Sequence, residues 1–132
     1  MIYHNGKLTQ AYQHDAGWDL YSTQRTEMKP MTTYYIPTGV HLELPKGVFA
    51  EVVGRSGLSG KGFKVDKGTI DGGYRGELMV ICWSFSEFIV EEGMKIAQLI
   101  FHEKVPHKVA YKYIIGQYTE RGKRGFGSSD AK

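Results

Sequence analysis

The amino-acid sequence predicts a single-domain, all-β protein, either a β-barrel or a jelly roll. Short apolar runs recur about every ten residues between turns rich in Gly and Pro, a spacing typical of barrels and jelly rolls. The chain of 132 residues contains 17 Gly, nine Tyr and six Phe, a composition that suits many turns and aromatic-rich strands. Helical evidence is thin, because no segment keeps apolar residues at helical spacing over three turns.

The strands are predicted from alternation and from the turn residues that bound each run. Residues 40–44 alternate apolar and polar side chains between two prolines, the period of a half-buried strand. Residues 78–85 form the strongest apolar run and are predicted to be buried on both faces. The remaining predicted strands cover residues 34–36, 48–53, 96–101 and 109–115, and a single helical turn is expected after Arg55, between Gly57 and Gly60.

The end of the chain differs in composition from the rest. Residues 1–116 carry the apolar runs and are predicted to form the core, whereas residues 117–132 are polar and rich in glycine. This composition is typical of a mobile arm or a lid.

Composition excludes several classes of protein. Seventeen Lys and Arg against 14 Asp and Glu leave a net charge of +3, too small to indicate nucleic acid or a membrane as a partner. The single cysteine, Cys82, excludes a disulfide within the chain, suits a reducing compartment and is expected to be an inert core thiol. No apolar run approaches about 18 residues, and the first residues lack a secretory pattern. The expected location is the cytoplasm.

Four polar, glycine-flanked clusters interrupt the apolar runs, and each has a structural and a functional interpretation. Asp15 and Asp19 belong to a turn before a strand, or to a carboxylate site near a metal. The glycines, hydroxyls and cations of residues 54–62 suit either a flexible loop or phosphate binding. Asp-Gly-Gly at 71–73 reads as a hairpin turn or as a placed carboxylate. The cluster at 120–129 is a basic terminus, or an arm that grips phosphate while its ring stacks on a base.

Taken in order, these clusters and one apolar segment form five motifs. They read DAGWDLYS at 15–22, GRSGLSGKG at 54–62, GTIDGGYRGEL at 68–78, GMKIAQLIF at 93–101 and ERGKRGFGSS at 120–129. This series resembles the trimeric deoxyuridine triphosphatase family over nearly the whole chain. The resemblance implies a β jelly roll, a homotrimer with sites shared between subunits, dUTP as substrate, Mg²⁺ as cofactor, and dUMP and diphosphate as products.

The resemblance also implies roles for residues in the first four motifs. Asp71 would deprotonate the water that attacks the α-phosphorus, and Arg55, near the base, would be the second catalytic residue. Tyr74 would pack under the deoxyribose, where its ring excludes a 2′-hydroxyl. The remaining roles are uracil reading by the backbone from Gly68 to Ile70, phosphate contacts by Ser56, Gly57 and Gln98, and retention of the waters of Mg²⁺ by Asp19.

The fifth motif implies a lid over the bound nucleotide. Arg121, Ser128 and Ser129 resemble the grip on the γ-phosphate, Phe126 resembles the cover over uracil, and Gly127 lies between them as a further substrate contact. Two departures from the family pattern stand out. Gly73 occupies a place where Asp is frequent, and Lys123-Arg124 make the arm more cationic than usual.

Two alternatives remain open on the sequence. One is a relative that deaminates dCTP, which would need a glutamate base at the pyrimidine. The other is a phage-type member that also binds a regulatory protein. The five histidines are scattered without the spacing of metal ligands, so a zinc site is not expected.

Overall fold

The computed structural model describes residues 1–114, and this part of the chain is built almost entirely of strands. The only helix in it is a single short one that follows the seventh strand. In chain order the elements are β1 (Tyr3–Asn5), β2 (Leu8–Thr9), β3 (Gly17–Tyr21), β4 (Thr26–Met28), β5 (Tyr34–Pro37), β6 (His41–Glu43), β7 (Val48–Val53), α1 (Ser56–Gly60), β8 (Phe63–Val65), β9 (Gly68–Ile70), β10 (Met79–Ser84), β11 (Phe88–Val90) and β12 (Lys95–Glu103).

The strands of this region pair antiparallel throughout. A five-stranded sheet has the order β2-β3-β12-β7-β9, and a three-stranded sheet has the order β5-β10-β8. Two strand pairs, β1 with β6 and β4 with β11, complete the arrangement. The long strand β12 lies at the centre of the larger sheet and pairs with β3 on one side and β7 on the other.

One buried cluster joins the two larger sheets. Ala50, Val52 and Leu99 come from the five-stranded sheet, and Ile36 and Val80 come from the three-stranded sheet. The free thiol of Cys82 lies in the same cluster, and burial raises its pKa to about 12. The thiol is therefore protonated and inert at neutral pH, as expected.

Most of the predicted strands are confirmed, and so is the helical turn after Arg55. The prediction that residues 78–85 are buried on both faces is wrong. In β10, Val80, Cys82 and Ser84 are buried, whereas Met79, Ile81 and Trp83 on the opposite face are only partly covered. The reason is that β10 lies in an antiparallel sheet whose core contacts lie on one face.

The predicted strand at 109–115 is also wrong over its described part. Residues 104–114 have no strand structure, and Val109, Tyr111 and Tyr113 are 89%, 95% and 76% exposed. Alternating apolar residues favour a strand, but a strand also needs a neighbour that accepts its backbone hydrogen bonds. None of the described strands pairs with this segment. Within residues 1–114, no helix is long and apolar enough to cross a membrane.

Candidate active site

The polar clusters of the sequence lie in two groups, near opposite ends of β7. The first group surrounds the loop that follows Val53 and contains residues from three sequence-distant motifs. The second group is the turn that follows β9 and contains Asp71 and Tyr74. Arg121, Phe126, Gly127, Ser128 and Ser129 lie outside the residues that the structure describes.

The loop after β7 leads directly into α1. Arg55 precedes the helix with an extended backbone (φ −104°, ψ 137°), and the buried side chain of Leu58 fixes the turn against the core. Ser56 and Gly57 are exposed on the first turn, where helical N–H groups have no partner within the helix. A Cβ at Gly57 would meet no atom within 4 Å. The packing of residues 1–114 therefore gives no reason for glycine at this position.

Gln98 connects the loop after β7 to the first motif. On β12 it pairs with Asp19 of β3 on one side and with Val53 of β7 on the other. Its Nε2 donates to the carbonyl of Gly54 at 3.1 Å. On the other side, a Cβ at Gly17 would lie 2.1 Å from Gln98 Oε1, so Gly17 leaves the space that this amide occupies.

The charges of this group centre on Asp19. Its carboxylate, with only 17% of the side chain exposed, has Arg55 Nε at 3.8 Å and Lys95 Nζ at 3.5 Å. The three side chains together leave one positive charge beside the exposed first turn of α1. Such a surface suits a phosphate chain.

Sequence reasoning did not single out Lys95. It lies in the fourth motif, three residues before Gln98. A register shift in β12 between Lys95 and Ala97 alters the alternation of side chains there. The position of Lys95 in the fourth motif is the signal that could have identified it. The β-bulge that accompanies its approach to Asp19 is not visible in the sequence.

The second group is a tight turn between β9 and β10. The N–H of Tyr74 donates to the carbonyl of Asp71 at 3.1 Å, which closes the turn over Gly72 and Gly73. Arg75 donates from Nη1 to the carbonyl of Gly72 at 2.8 Å. The turn predicted at Asp-Gly-Gly is confirmed, but the predicted hairpin is wrong, because β9 pairs with β7 whereas β10 pairs with β5 and β8.

Asp71 borders two cavities. One, of about 310 Å³, is lined by both backbone and side chains of the second group, among them Gly68, Ile70 and Tyr74. The other, of about 620 Å³, lies on the far side of the turn and is lined by Lys46, Lys104 and His107. Both linings are mainly apolar, so Asp71 is suitably placed to act on a group attached to an apolar ring bound beside it.

The wall of the smaller cavity depends on two glycines. A Cβ at Gly76 would lie 2.3 Å from the hydroxyl of Tyr74, so this position must lack a side chain for the ring to keep its place. A Cβ at Gly68 would meet nothing within 4 Å. The backbone of β9 is therefore open to close approach by a flat ligand.

The two groups are far apart within one chain. Ile70 pairs with Ala50, so Asp71 lies beside the start of β7, whereas Arg55 and Ser56 follow its end. At about 3.3 Å per residue, the five or six intervening residues separate the groups by roughly 15–20 Å. That distance is several times the length of a hydrogen bond.

Comparisons with known proteins agree on one family. The family model for dUTPase matches residues 6–130. The deoxyuridine 5′-triphosphate nucleotidohydrolase of Clostridium novyi (strain NT) is 44% identical over 125 residues, which cover 91% of this chain and 87% of the relative. That of Clostridium tetani is 40% identical over 135 residues, covering 98% and 92% of the two chains.

Solved dUTPase structures have a similar fold over most of their length. The native EIAV dUTPase has a TM-score of 0.77 at 31% identity, covering 86% of this chain and 97% of that one. A mutant dUTPase of Staphylococcus bacteriophage 80alpha, solved with dUpNHpp, has a TM-score of 0.84 and covers 98% of both chains. Its identity of 22% shows likeness of fold alone.

Proposed function

The chain belongs to the dUTPase family, and from this membership we propose how its residues act as a dUTP nucleotidohydrolase. In the proposed reaction water attacks the α-phosphorus of dUTP, and dUMP and diphosphate leave. Asp71 is the general base that takes the proton of the water. The observation that carries this assignment is the position of Asp71 at the border of the cavity that Gly68, Ile70 and Tyr74 line.

The smaller pocket takes the uridine part of the substrate. Uracil lies along the backbone from Gly68 to Ile70, where the open space at Gly68 permits close approach. Tyr74 lies under the deoxyribose and leaves no room for a 2′-hydroxyl. A rigid wall of this kind discriminates because the larger sugar must displace it.

The phosphate chain is bound by the group around α1. The N–H groups and hydroxyl of Ser56 and Gly57 serve as donors, and Arg55 and Lys95 supply positive charge. Gln98, which the sequence motif assigns to the phosphates, holds the loop through its hydrogen bond to Gly54. Catalysis then rests on position and charge stabilisation, as is usual for transfer at phosphorus.

A homotrimer of jelly-roll subunits would unite the two groups. Asp71 and Ser56 of one chain are too far apart to act on neighbouring phosphates, so the Asp71 turn of one subunit would meet the α1 loop of another. Cyclic symmetry gives every site the same composition. Residues 117–132 would close over the nucleotide, with Arg121, Ser128 and Ser129 on the γ-phosphate and Phe126 and Gly127 over uracil.

The residues around Asp19 fit Mg²⁺ held through water. Both carboxylate oxygens already face cations, Arg55 at 3.8 Å and Lys95 at 3.5 Å, which disfavours direct coordination. Mg²⁺ keeps several waters in most protein sites, and Asp19 would accept hydrogen bonds from them. When bound, the ion would neutralise charge on the phosphate oxygens. A dUTPase from phage phi11 of S. aureus is described with a structural Mg(II) ion.

The decisive experiment measures diphosphate release from dUTP, dCTP, UTP and the common deoxynucleotides, with wild-type protein and Asp71→Asn. We expect strong preference for dUTP in the wild type. Asparagine keeps the shape of the side chain but cannot take a proton, so turnover should fall at least about a hundredfold while nucleotide binding persists. Near-normal turnover by Asp71→Asn would refute the base, and release of ammonia from dCTP would favour the deaminase alternative.

The regulatory-partner alternative has weaker support. Phage dUTPases described as controlling transfer of virulence genes are 22–23% identical to this chain, which carries the fold and not the role. It stays a prediction, to be tested by pull-down with and without dUTP.

A further inference from the structure

We propose that Glu77 is a positioning residue for sugar selection, acting through the Tyr74 ring. The inference rests on the proposed function, in which Tyr74 is the surface that excludes a 2′-hydroxyl. Glu77 also borders the smaller cavity, but in this proposal it acts through the ring and not by contact with the nucleotide. Two hydrogen bonds of Glu77, one through its backbone carbonyl and one through its side chain, hold the ring in position.

The backbone contact holds the tip of the ring. The hydroxyl of Tyr74 donates to the carbonyl of Glu77 at 2.8 Å. Gly76 lies between them in sequence and has no Cβ to obstruct the bond, since such an atom would lie 2.3 Å from the hydroxyl. With 45% of its surface exposed, Tyr74 is not fixed by burial, so this hydrogen bond matters for its orientation.

The side-chain contact holds the backbone of Glu77, and with it the carbonyl to which the Tyr74 hydroxyl donates. Glu77 Oε2 accepts from the N–H of Gly39 at 2.9 Å, a partly buried hydrogen bond with a charged acceptor. Such bonds are shorter and stronger than neutral ones. Arg75, the nearest cation in sequence, donates to the carbonyls of Gly72 and Tyr74, and none of the ion pairs found in residues 1–114 involves Glu77.

The N–H of Gly39 that donates to Glu77 belongs to a rigid part of the molecule. Gly39 has φ of +71° in the turn between β5 and β6, a conformation that favours glycine. On either side, Thr38 donates from Oγ1 to the carbonyl of Leu78 at 2.6 Å, and Leu78 donates to the carbonyl of Val40 at 2.8 Å. Thr38, Val40 and Leu78 are buried. Leu78 is thus attached to this turn by two hydrogen bonds, and Glu77 extends the attachment towards the exposed turn that contains Tyr74.

Removing the carboxylate should therefore loosen the sugar wall and spare the core. In Glu77→Ala the carbonyl at residue 77 keeps its chemistry but loses its anchor. The Tyr74 ring gains freedom, and a 2′-hydroxyl is accommodated more readily. The substitution leaves the hydrogen bond from the N–H of Tyr74 to the carbonyl of Asp71 in place, so kcat for dUTP should change less than the choice between sugars.

The test compares kcat and KM for dUTP and UTP in wild type, Glu77→Ala and Glu77→Gln. Glu77→Ala should lower the dUTP-to-UTP ratio of kcat/KM about tenfold, mainly through KM for dUTP and a gain with UTP. Glu77→Gln keeps an oxygen for Gly39 N–H and should restore the ratio to within about threefold of wild type. Hydrogen exchange at residues 38–40 should rise in Glu77→Ala and not in Glu77→Gln.

Two glycines in the segment between β9 and β10 serve as a matched pair of controls. They distinguish an effect of the position of the Tyr74 ring from a general loss of structure. Gly76→Ala places a methyl group against the Tyr74 hydroxyl and should lower the sugar ratio like Glu77→Ala. Gly73→Ala meets no atom within 4 Å and has no positive φ, so its ratio should remain near that of wild type. If the wild type strongly prefers dUTP and Glu77→Ala has the same dUTP-to-UTP ratio of kcat/KM, the role of Glu77 is refuted and the proposed role of Tyr74 stands. A wild type that does not discriminate against UTP overturns the proposed role of Tyr74 itself.

Discussion

At the scale of single residues, a substitution at Gly57 tests why glycine is present there. The reason is either close approach of a ligand to the backbone or flexibility of the chain. A Cβ added at Gly57 would meet no atom of residues 1–114 within 4 Å and its φ is not positive, so alanine should fit a helical position at least as well as glycine. If phosphate approaches the backbone here, Gly57→Ala should leave the melting temperature unchanged or slightly higher. Its kcat/KM for dUTP should nevertheless fall at least about tenfold.

Gly60→Ala is the matched control for Gly57→Ala. Gly60 ends the same helix, and a Cβ there also meets nothing within 4 Å. This variant should keep both its stability and its turnover. Equal turnover by the two variants would show that no ligand needs the open space at Gly57.

At the scale of elements, Glu51 ties three parts of the larger sheet together. From β7 its Oε2 lies 2.9 Å from Nζ of Lys67, just before β9, and its Oε1 lies 2.8 Å from Nε2 of His102 on β12. The hydrogen bond and charge of Lys67, with a smaller effect of His102, hold the pKa of Glu51 below its ordinary value of 4.5. A lowered carboxyl pKa stabilises the folded state above the ordinary value and loses this effect as pH falls through the lowered one.

The melting temperature of the wild type should therefore fall steeply as pH drops below about 4.5, and that of Glu51→Gln should fall less steeply. Circular dichroism melts between neutral pH and pH 3 would measure both curves. Parallel curves for the two proteins would show that this cluster does not contribute to acid sensitivity.

The arm is the second element whose role can be isolated. The last described hydrogen bond that ties the chain to the core is from the N–H of Lys104 to the carbonyl of Gly47, at 2.7 Å, and Val105 and Val109 beyond it are exposed. Deleting residues 117–132 should therefore change the melting temperature little. It should lower turnover of dUTP about tenfold to a hundredfold or more, because the charge-assisted grip of Arg121 is lost. A truncated protein that keeps its turnover would rule out the lid.

At the scale of the whole molecule, the distance between Asp71 and the α1 loop predicts a shared site. Light scattering should report about three times the chain mass of 14.9 kDa. Asp71→Asn and Arg55→Ala should each be inactive alone, yet an equal mixture refolded together should recover about a quarter of wild-type turnover, since one interface in four combines two intact halves. A mixture that stays inactive would assign both residues to one subunit's site.

The sequence by itself determined the all-β class of fold and the positions of most strands, whereas the site residues that it named remain predictions. Apolar alternation and turn residues are local properties, so residues 48–53 and the helical turn after Arg55 were predicted close to their observed positions. The five motifs indicated the family, to which the family model and the clostridial relatives also assign the chain. The role of Asp71 followed from its motif and remains a prediction.

Only the tertiary structure decided which of these residues meet. Asp19, Arg55 and Lys95 are distant in sequence and converge because β12 pairs with both β3 and β7, while a bulge shifts the register beside Lys95. Glu77 and Gly39 meet because β10, which follows Glu77, pairs with β5, which precedes Gly39. The segment at 109–114 has the alternation of a strand but no described partner. Pairing, register and burial depend on contacts between residues far apart in the chain, and local pattern carries no information about them.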